Sequence, residues 1–373
     1  MISIVGGGII GLSIGWYLRR KGAEVTIFEE DVCGRRASWA TAGMIAAHIG
    51  RSPKAADVSE MALSILGAQR EGQELWKTFS KELEQASGVD IGYRATGSLR
   101  VAFSRDEMTR LESDYELQRG LGLQMELLTA KETLEMEPEV SKTLLAAILS
   151  PTVAQVDPRE TMKGLREAYL RAGGRLYEHT RVESILVENN QTRGICFGGE
   201  VFNADQVVLA AGAWSEKIGG IPEADRPPVT PAKGQMMALR MDPNHPLTRI
   251  VSAKGGYSIP RAGRLIIGST MEPGEFDASN TVGGVMNLLQ RESEVIPSVQ
   301  SLPIDEMWAG VRPKSPDGAP ILGPTGVEGL VIATGHGHIG VVLAPVTARY
   351  IVQFLTGGRV ADAIRPFSID RFK

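Results

Sequence analysis

The sequence predicts an α/β fold in which a nucleotide-binding domain, broken into three stretches of chain, is interrupted by two strand-rich inserts. Three observations carry this reading. A short apolar strand, Ile2-Ser-Ile-Val5, enters a turn with glycines at Gly6, Gly8 and Gly11, and a helical pattern follows through Leu12, Trp16 and Leu18. The hydrophobic run Val25-Thr-Ile-Phe28 then closes on Glu29, all within a βαβ-sized unit. Two later runs, Gln206-Val-Val-Leu-Ala-Ala-Gly212 and Gly329-Leu-Val-Ile-Ala-Thr-Gly335, repeat the pattern of a buried strand ending in a glycine turn. In this Rossmann-like grammar the first glycine permits the tight turn, the second lets a pyrophosphate approach the backbone, and the third lets helix and strand pack closely. The phosphates sit at the helix N-terminus, where unpaired N–H groups and the dipole favour negative charge. Glu29 is placed to accept hydrogen bonds from a ribose hydroxyl.

The remaining elements follow in order. The segment from Cys33 to Met44 is rich in small residues behind Arg35 and Arg36, suited to a surface loop or to a backbone pressed against a flat ring. Apolar positions Met61, Leu63, Leu66, Leu75, Trp76, Phe79 and Leu83 predict a helix over 58–85. Strands joined by turns are expected over 92–103, and a charged helix over 105–120. Asp157 and Pro158 have the chemistry of an N-cap and first helical residue, opening a helix that runs to about Ala172. Strands are expected over 175–178 and 182–187, and a hairpin over 194–204. The second insert carries strands near 234–240, 257–260 and 264–269, and a last helix is expected over 344–355.

Composition narrows the function. The chain has 373 residues, a net charge of −4 and 43% hydrophobic content, values of a globular protein with more than one core. Its basic residues are scattered, so no nucleic-acid footprint is expected. The two cysteines, Cys33 and Cys196, lie in no metal or disulfide spacing, which fits a reducing, cytoplasmic location. The first strand begins at Ile2, which leaves no room for a signal peptide, and no membrane span is expected.

Together, Gly6-x-Gly8-x-x-Gly11 with Glu29, Ser38-Trp-Ala-Thr-Ala-Gly43-Met44, Val208-Leu-Ala-Ala-Gly212, Trp308-Ala-Gly-Val-Arg312-Pro and Thr334-Gly-His336 resemble the FAD-dependent D-amino-acid oxidase superfamily. Within it the chain looks most like bacterial glycine oxidases of the thiamine pathway. The resemblance implies a discontinuous FAD-binding domain (1–85, 153–221 and 306–373). It also implies a substrate domain with an antiparallel sheet and helices (86–152 and 222–305), and a homo-oligomer, commonly a tetramer. FAD would lie against Gly6, Gly8, Ile9, Ile10 and Gly11, then Glu29 and Glu30. The loop positions Ala37, Ser38, Ala42, Gly43 and Met44 would follow, with Val182 and Gly212. The final stretch is His336, Gly337, His338, Ile339, Gly340 and Val341. Relatives that attach the flavin covalently through a histidine would place it at Ala40, so noncovalent FAD is expected here.

The resemblance also implies substrate contacts. Arg312 stands at the carboxylate-binding position, where a guanidinium offers a bidentate fork; its plain alternative is pairing with a structural carboxylate. Tyr257 matches a hydroxyl that helps hold that carboxylate, and Met271 matches a pocket residue. His338 stands where glycine oxidases commonly carry a second arginine, preceded by Gly337 where a larger residue is common. Gly255 likewise replaces an occasional histidine. These departures make sarcosine, N-alkylglycines or small D-amino acids candidates beside glycine. The implied reaction is hydride transfer to the flavin, giving an imine and, with oxygen, hydrogen peroxide. The alternative is the flavin subunit of a multi-subunit amino-acid or opine dehydrogenase that passes electrons to a partner protein.

Overall fold

The structure, a computed structural model, describes residues 1–49, 58–274 and 276–373. The three glycine-terminated strands meet in one six-stranded sheet. Its order is Ile321–Pro324, Leu330–Thr334, Gln206–Leu209, Ile2–Val5, Val25–Phe28 and Arg175–Tyr177. All neighbours run parallel except the antiparallel edge strand Ile321–Pro324. Both faces are covered, which is why these strands read as continuous apolar runs rather than as alternating ones. Ile4 and Ile27 face a core shared with the helices Ile9–Arg20, Glu60–Ser87, Pro158–Arg171 and Gly340–Gly357. Their neighbours Val5 and Phe28 face the three-stranded sheet of Ser184–Glu188, Gln191–Phe197 and Glu200–Asn203.

The helix ends follow local chemistry. The Asp157 carboxylate accepts from the N–H groups of Arg159 (2.8 Å) and Glu160 (3.2 Å), opening Pro158–Arg171. The last helix starts at Gly340, four residues before the sequence reading placed it, and carries Pro345 in its interior. Proline cannot donate to the carbonyl four residues back. That carbonyl, of Val341, instead accepts from the Trp76 indole at 2.8 Å. Gly340–Gly357 is long and apolar enough to cross a membrane by length and composition, but here it packs against Ile9–Arg20 and Glu60–Ser87.

A nine-stranded sheet roofs this domain. It runs from Glu272–Pro273 through Thr230–Arg240, Arg264–Gly268, Gly256–Arg261, Ile250–Ala253, Ser98–Ala102 and Ala146–Ser150 to Glu126–Thr129. The long strand Ile304–Lys314 pairs along Thr230–Arg240. The sheet is antiparallel apart from one parallel pair, Ile250–Ala253 with Ser98–Ala102. Period-two alternation divides its faces. Met237, Leu239, Leu265 and Ile267 pack toward the helix Val282–Val295, whereas Met236, Ala238, Ile259, Ile266 and Trp308 pack toward Ala40 and Ala42.

Two further features differ from the sequence reading. The expected boundary at 306 falls inside Ile304–Lys314, whose whole length is hydrogen-bonded into the roof sheet. The helix Val282–Val295 was not anticipated, because Gly283 and Gly284 in its first turn obscure the apolar periodicity. Thr281 nevertheless caps it, accepting from the Gly284 N–H at 3.1 Å.

Candidate active site

A cavity of about 780 Å³ runs between the six-stranded sheet and the roof. At one end the helix Ile9–Arg20 points its N-terminus into it, with Gly8 at the cap position and no side-chain cap there. The Ser38 hydroxyl accepts from the Ile9 N–H (2.9 Å), so Ser38 orders this turn rather than merely sparing space. Gly6 has φ +109°, and a Cβ on it would fall 2.4 Å from the Ala210 carbonyl oxygen. A Cβ on Gly11 would fall 2.0 Å from the Gly6 carbonyl oxygen, which is the close strand–helix packing its position requires. The Glu29 carboxylate accepts from the N–H groups of Gly7 (2.7 Å) and Asp31 (3.0 Å) while lining the cavity. Burial pushes its pKa up, and the two backbone N–H groups oppose that shift. Each carboxylate oxygen retains acceptor capacity for a hydroxyl.

Most of the other expected cofactor positions lie on the same wall: Ile9, Ile10, Glu30, Ala37, Ala42, Met44, Val182, Gly212, Gly337, Gly340 and Val341. Gly11, Gly43 and Ile339 are absent from the lining. Gly43 instead has φ +76°, with no room for a Cβ against the Val156 carbonyl, and Ile339 is a core residue. His336 and His338 part company. His336 is buried, its Nε2 lies 3.1 Å from the Thr347 hydroxyl, and burial lowers its pKa to about 3, so its ring is neutral and structural. His338 is exposed to the cavity, and its pKa is lowered by burial and by the Arg312 charge.

The strand Ile304–Lys314 joins the two halves through residues on one face. Glu306 receives a bidentate pair from Arg159 (2.8 and 2.9 Å), whose guanidinium lies 3.6 Å from the Trp39 ring centre and 4.8 Å from that of Trp308. The Trp308 indole donates to the Ala40 carbonyl at 3.1 Å. Gly310 lets this strand approach the small-residue segment, since a Cβ there would sit 2.5 Å from the Ala40 Cβ. Arg312 comes next on that face, half-buried, at the end of the cavity away from Glu29. Its guanidinium donates to the Ser269 hydroxyl (2.7 Å) and to the carbonyls of Thr270 (3.3 Å) and Lys233 (3.4 Å). Among the described residues no carboxylate pairs with it. Gly234 makes room, because a Cβ there would lie 2.2 Å from the Arg312 Nη1.

Tyr257 and Met271 line the same end. Among the described residues the Tyr257 hydroxyl has only a weak contact, 3.8 Å to the Met236 sulfur, and Met271 is 59% exposed, which excludes an ordinary core methionine. Ser269 and His48 were not foreseen. The His48 ring centre is 6.5 Å from that of His338, and burial, followed by His338 and Arg100, lowers its pKa to about 4. Ser269 lies in the stretch Gly268-Ser-Thr-Met271, which the resemblance includes, but was given no role; His48 sits in no local motif, and the tertiary fold brings it to His338.

These residues fit a flavin dinucleotide. The glycine turn and the helix N-terminus offer N–H donors to a pyrophosphate, Glu29 offers acceptors to a ribose, and the cavity continues from there to an arginine with no carboxylate partner among the described residues.

The sequence profile described as FAD dependent oxidoreductase (DAO) matches residues 1–354. Glycine oxidase of Geobacillus kaustophilus is 34% identical, across 99% of this chain and 96% of its own. Its crystal structure superposes with a TM-score of 0.91 over 99% of this chain and 98% of the other. The bifunctional protein ThiO/ThiG of Nostoc sp. is 33% identical across 99% of this chain and 55% of its own length.

Proposed function

The chain belongs to the FAD-dependent oxidoreductase (DAO) family, and on that premise we propose that it is an amino-acid oxidase. The substrates are glycine or a small or secondary amino acid such as sarcosine, an N-alkylglycine or a small D-amino acid. The products are the imine and, with oxygen as acceptor, hydrogen peroxide. The observation that carries this reading is Arg312, a cation without an acidic partner among the described residues, at the end of a cavity that begins in the glycine turn. Bound FAD supplies the acceptor for the hydride that leaves the substrate α-carbon. Arg312 holds the substrate carboxylate through its fork, and Ser269 fixes the guanidinium plane. The Tyr257 hydroxyl, with no strong partner among the described residues, adds a donor to that carboxylate. The roof sheet covers the reacting end. No side chain is needed as a base when the amine binds neutral, because the nitrogen lone pair forms the imine as hydride departs. We place FAD noncovalently, the assembly as a homo-oligomer, and the enzyme in the cytoplasm. Glycine imine formation would serve thiamine thiazole synthesis.

Oxygen uptake by the purified chain alone tests the acceptor. Uptake and peroxide in equal amounts with one of these amino acids are expected. Reduction of an artificial dye without oxygen uptake would instead favour a dehydrogenase subunit with a protein partner.

His338 gives a second test. Burial and Arg312 hold its pKa below the ordinary histidine value, so the ring is neutral near neutral pH and gains charge only on acidification. A fixed charge in the His338→Arg enzyme is expected to shift preference toward glycine and flatten the pH dependence of that preference. In the unmodified enzyme the preference should move the same way as pH falls. Identical substrate ratios and pH profiles in both enzymes would leave His338 as a loop spacer.

A further inference from the structure

The reacting end of the cavity is lopsided in charge. Arg312, His48 and His338 line it, and Arg100 approaches His48 from the strand Ser98–Ala102 while pairing with Asp114 at 2.6 Å. The carboxylates on the cavity wall, Glu29, Glu30 and Glu183, belong to the nucleotide end, and Glu29 is already held by two backbone N–H groups. The two imidazole rings have centres 6.5 Å apart and planes 47° from one another, and neither ring has a hydrogen-bond partner among the described residues. That gap is too wide for the rings to bond each other. It leaves room for one planar anion taking N–H···O contacts of about 2.7–2.9 Å from both.

We propose that this pocket is shaped for an amino acid bearing a second carboxylate, with one carboxylate on Arg312 and the other between the rings of His48 and His338. The inference rests on the amino-acid oxidase reading and specifies its substrate class. Three donor-bearing side chains around a site meant only for a zwitterion of one carboxylate would leave two imidazoles idle. A dicarboxylate uses all three. Its first carboxylate neutralises Arg312, which removes the smaller of the two effects that lower the His338 pKa, and its second offsets the larger one, burial, by rewarding protonation of the pair. Binding therefore takes up a proton, and the preference for two carboxylates weakens as pH rises. Arg312, His48 and, behind His48, Arg100 are the charged or titratable groups acting on this pair.

The second carboxylate can sit on the nitrogen substituent or on the side chain, and matched substrates separate these. Iminodiacetate is compared with sarcosine, and D-aspartate with D-alanine, using the FAD-loaded enzyme. At least one dicarboxylate is expected to exceed its partner in kcat/KM by about tenfold or more, with the ratio falling as pH rises. His48→Gln and His338→Gln should each cut that ratio severalfold. Ratios at or below one in both pairs, with sarcosine or D-alanine still oxidised, overturn the inference and spare the oxidase reading. Failure to oxidise any of the four counts against the oxidase reading instead. Binding is read independently of turnover with thiodiacetate and methylthioacetate, which lack the amine. About tenfold tighter binding of thiodiacetate, with proton uptake seen by calorimetry in two buffers, is expected. Equal affinities without proton uptake would refute the site whatever the catalytic result.

Discussion

Arg312→Ala is expected to lower kcat/KM by about two to four orders of magnitude while the protein remains folded and yellow with FAD. Removing one partner of a desolvated, hydrogen-bonded charge pair costs on the order of 3–5 kcal/mol, and each decade of rate corresponds to about 1.4 kcal/mol. The structure explains why folding should survive. Among the described residues Arg312 donates to neutral acceptors, Ser269, Thr270, Lys233 and weakly the Met271 sulfur, so its loss strands no acid among them. An Arg312→Lys enzyme should also stay well below the parent, since an ammonium cannot reproduce the planar fork. Steady-state kinetics on the best substrate decide the matter. A loss smaller than about tenfold would remove Arg312 from the carboxylate site.

Gly11→Ala should release FAD. Its added Cβ would sit 2.0 Å from the Gly6 carbonyl oxygen, a backbone atom that cannot swing aside. The helix Ile9–Arg20 must then lift from the strand Ile2–Val5, carrying its N–H groups away from the pyrophosphate position. Overpacking of this kind costs about 1–3 kcal/mol, equivalent to roughly a 5- to 150-fold weaker FAD affinity if it falls on binding. Gly67→Ala is the control. Gly67 lies exposed in Glu60–Ser87 with nothing within 4 Å of a Cβ, so alanine there should be neutral or mildly stabilising. Fluorescence titration of the apoproteins with FAD measures both. Equal affinities would mean that the glycine turn does not hold the dinucleotide.

What the sequence made legible was local or strongly periodic. The strand–glycine–helix unit from Ile2 to Glu29 announces itself because each glycine answers a steric demand within a few residues. The Asp157–Pro158 helix start is legible for the same reason. Sheet membership at the start of the last segment was not, since Trp308 and Arg312 read equally well as the edge of either domain until the pairing with Thr230–Arg240 is seen. The helix Val282–Val295 hid behind two glycines. Among site residues, Arg312 and Tyr257 were found through resemblance rather than through any local signal. His48 carries no local signal, and Ser269, two residues before Met271 in a stretch the resemblance includes, shows its role only once packing brings it to Arg312. The pair His336 and His338 shows the limit most plainly. Two residues apart in one glycine-rich turn, they look equivalent in sequence and both line the cavity, yet one is buried with its ring against Thr347 and the other is exposed.

The central claim is that an amino acid, anchored by its carboxylate on Arg312, delivers hydride to FAD held by this chain alone. Anaerobic mixing of the FAD-loaded protein with sarcosine or glycine, and separately with dimethylamine or methylamine, tests it directly through the flavin absorbance. Rapid bleaching by an amino acid, with none by the amine that lacks the carboxylate, is the predicted result. Bleaching at the same rate by both, or by neither these amino acids nor any other in the proposed class, would contradict it.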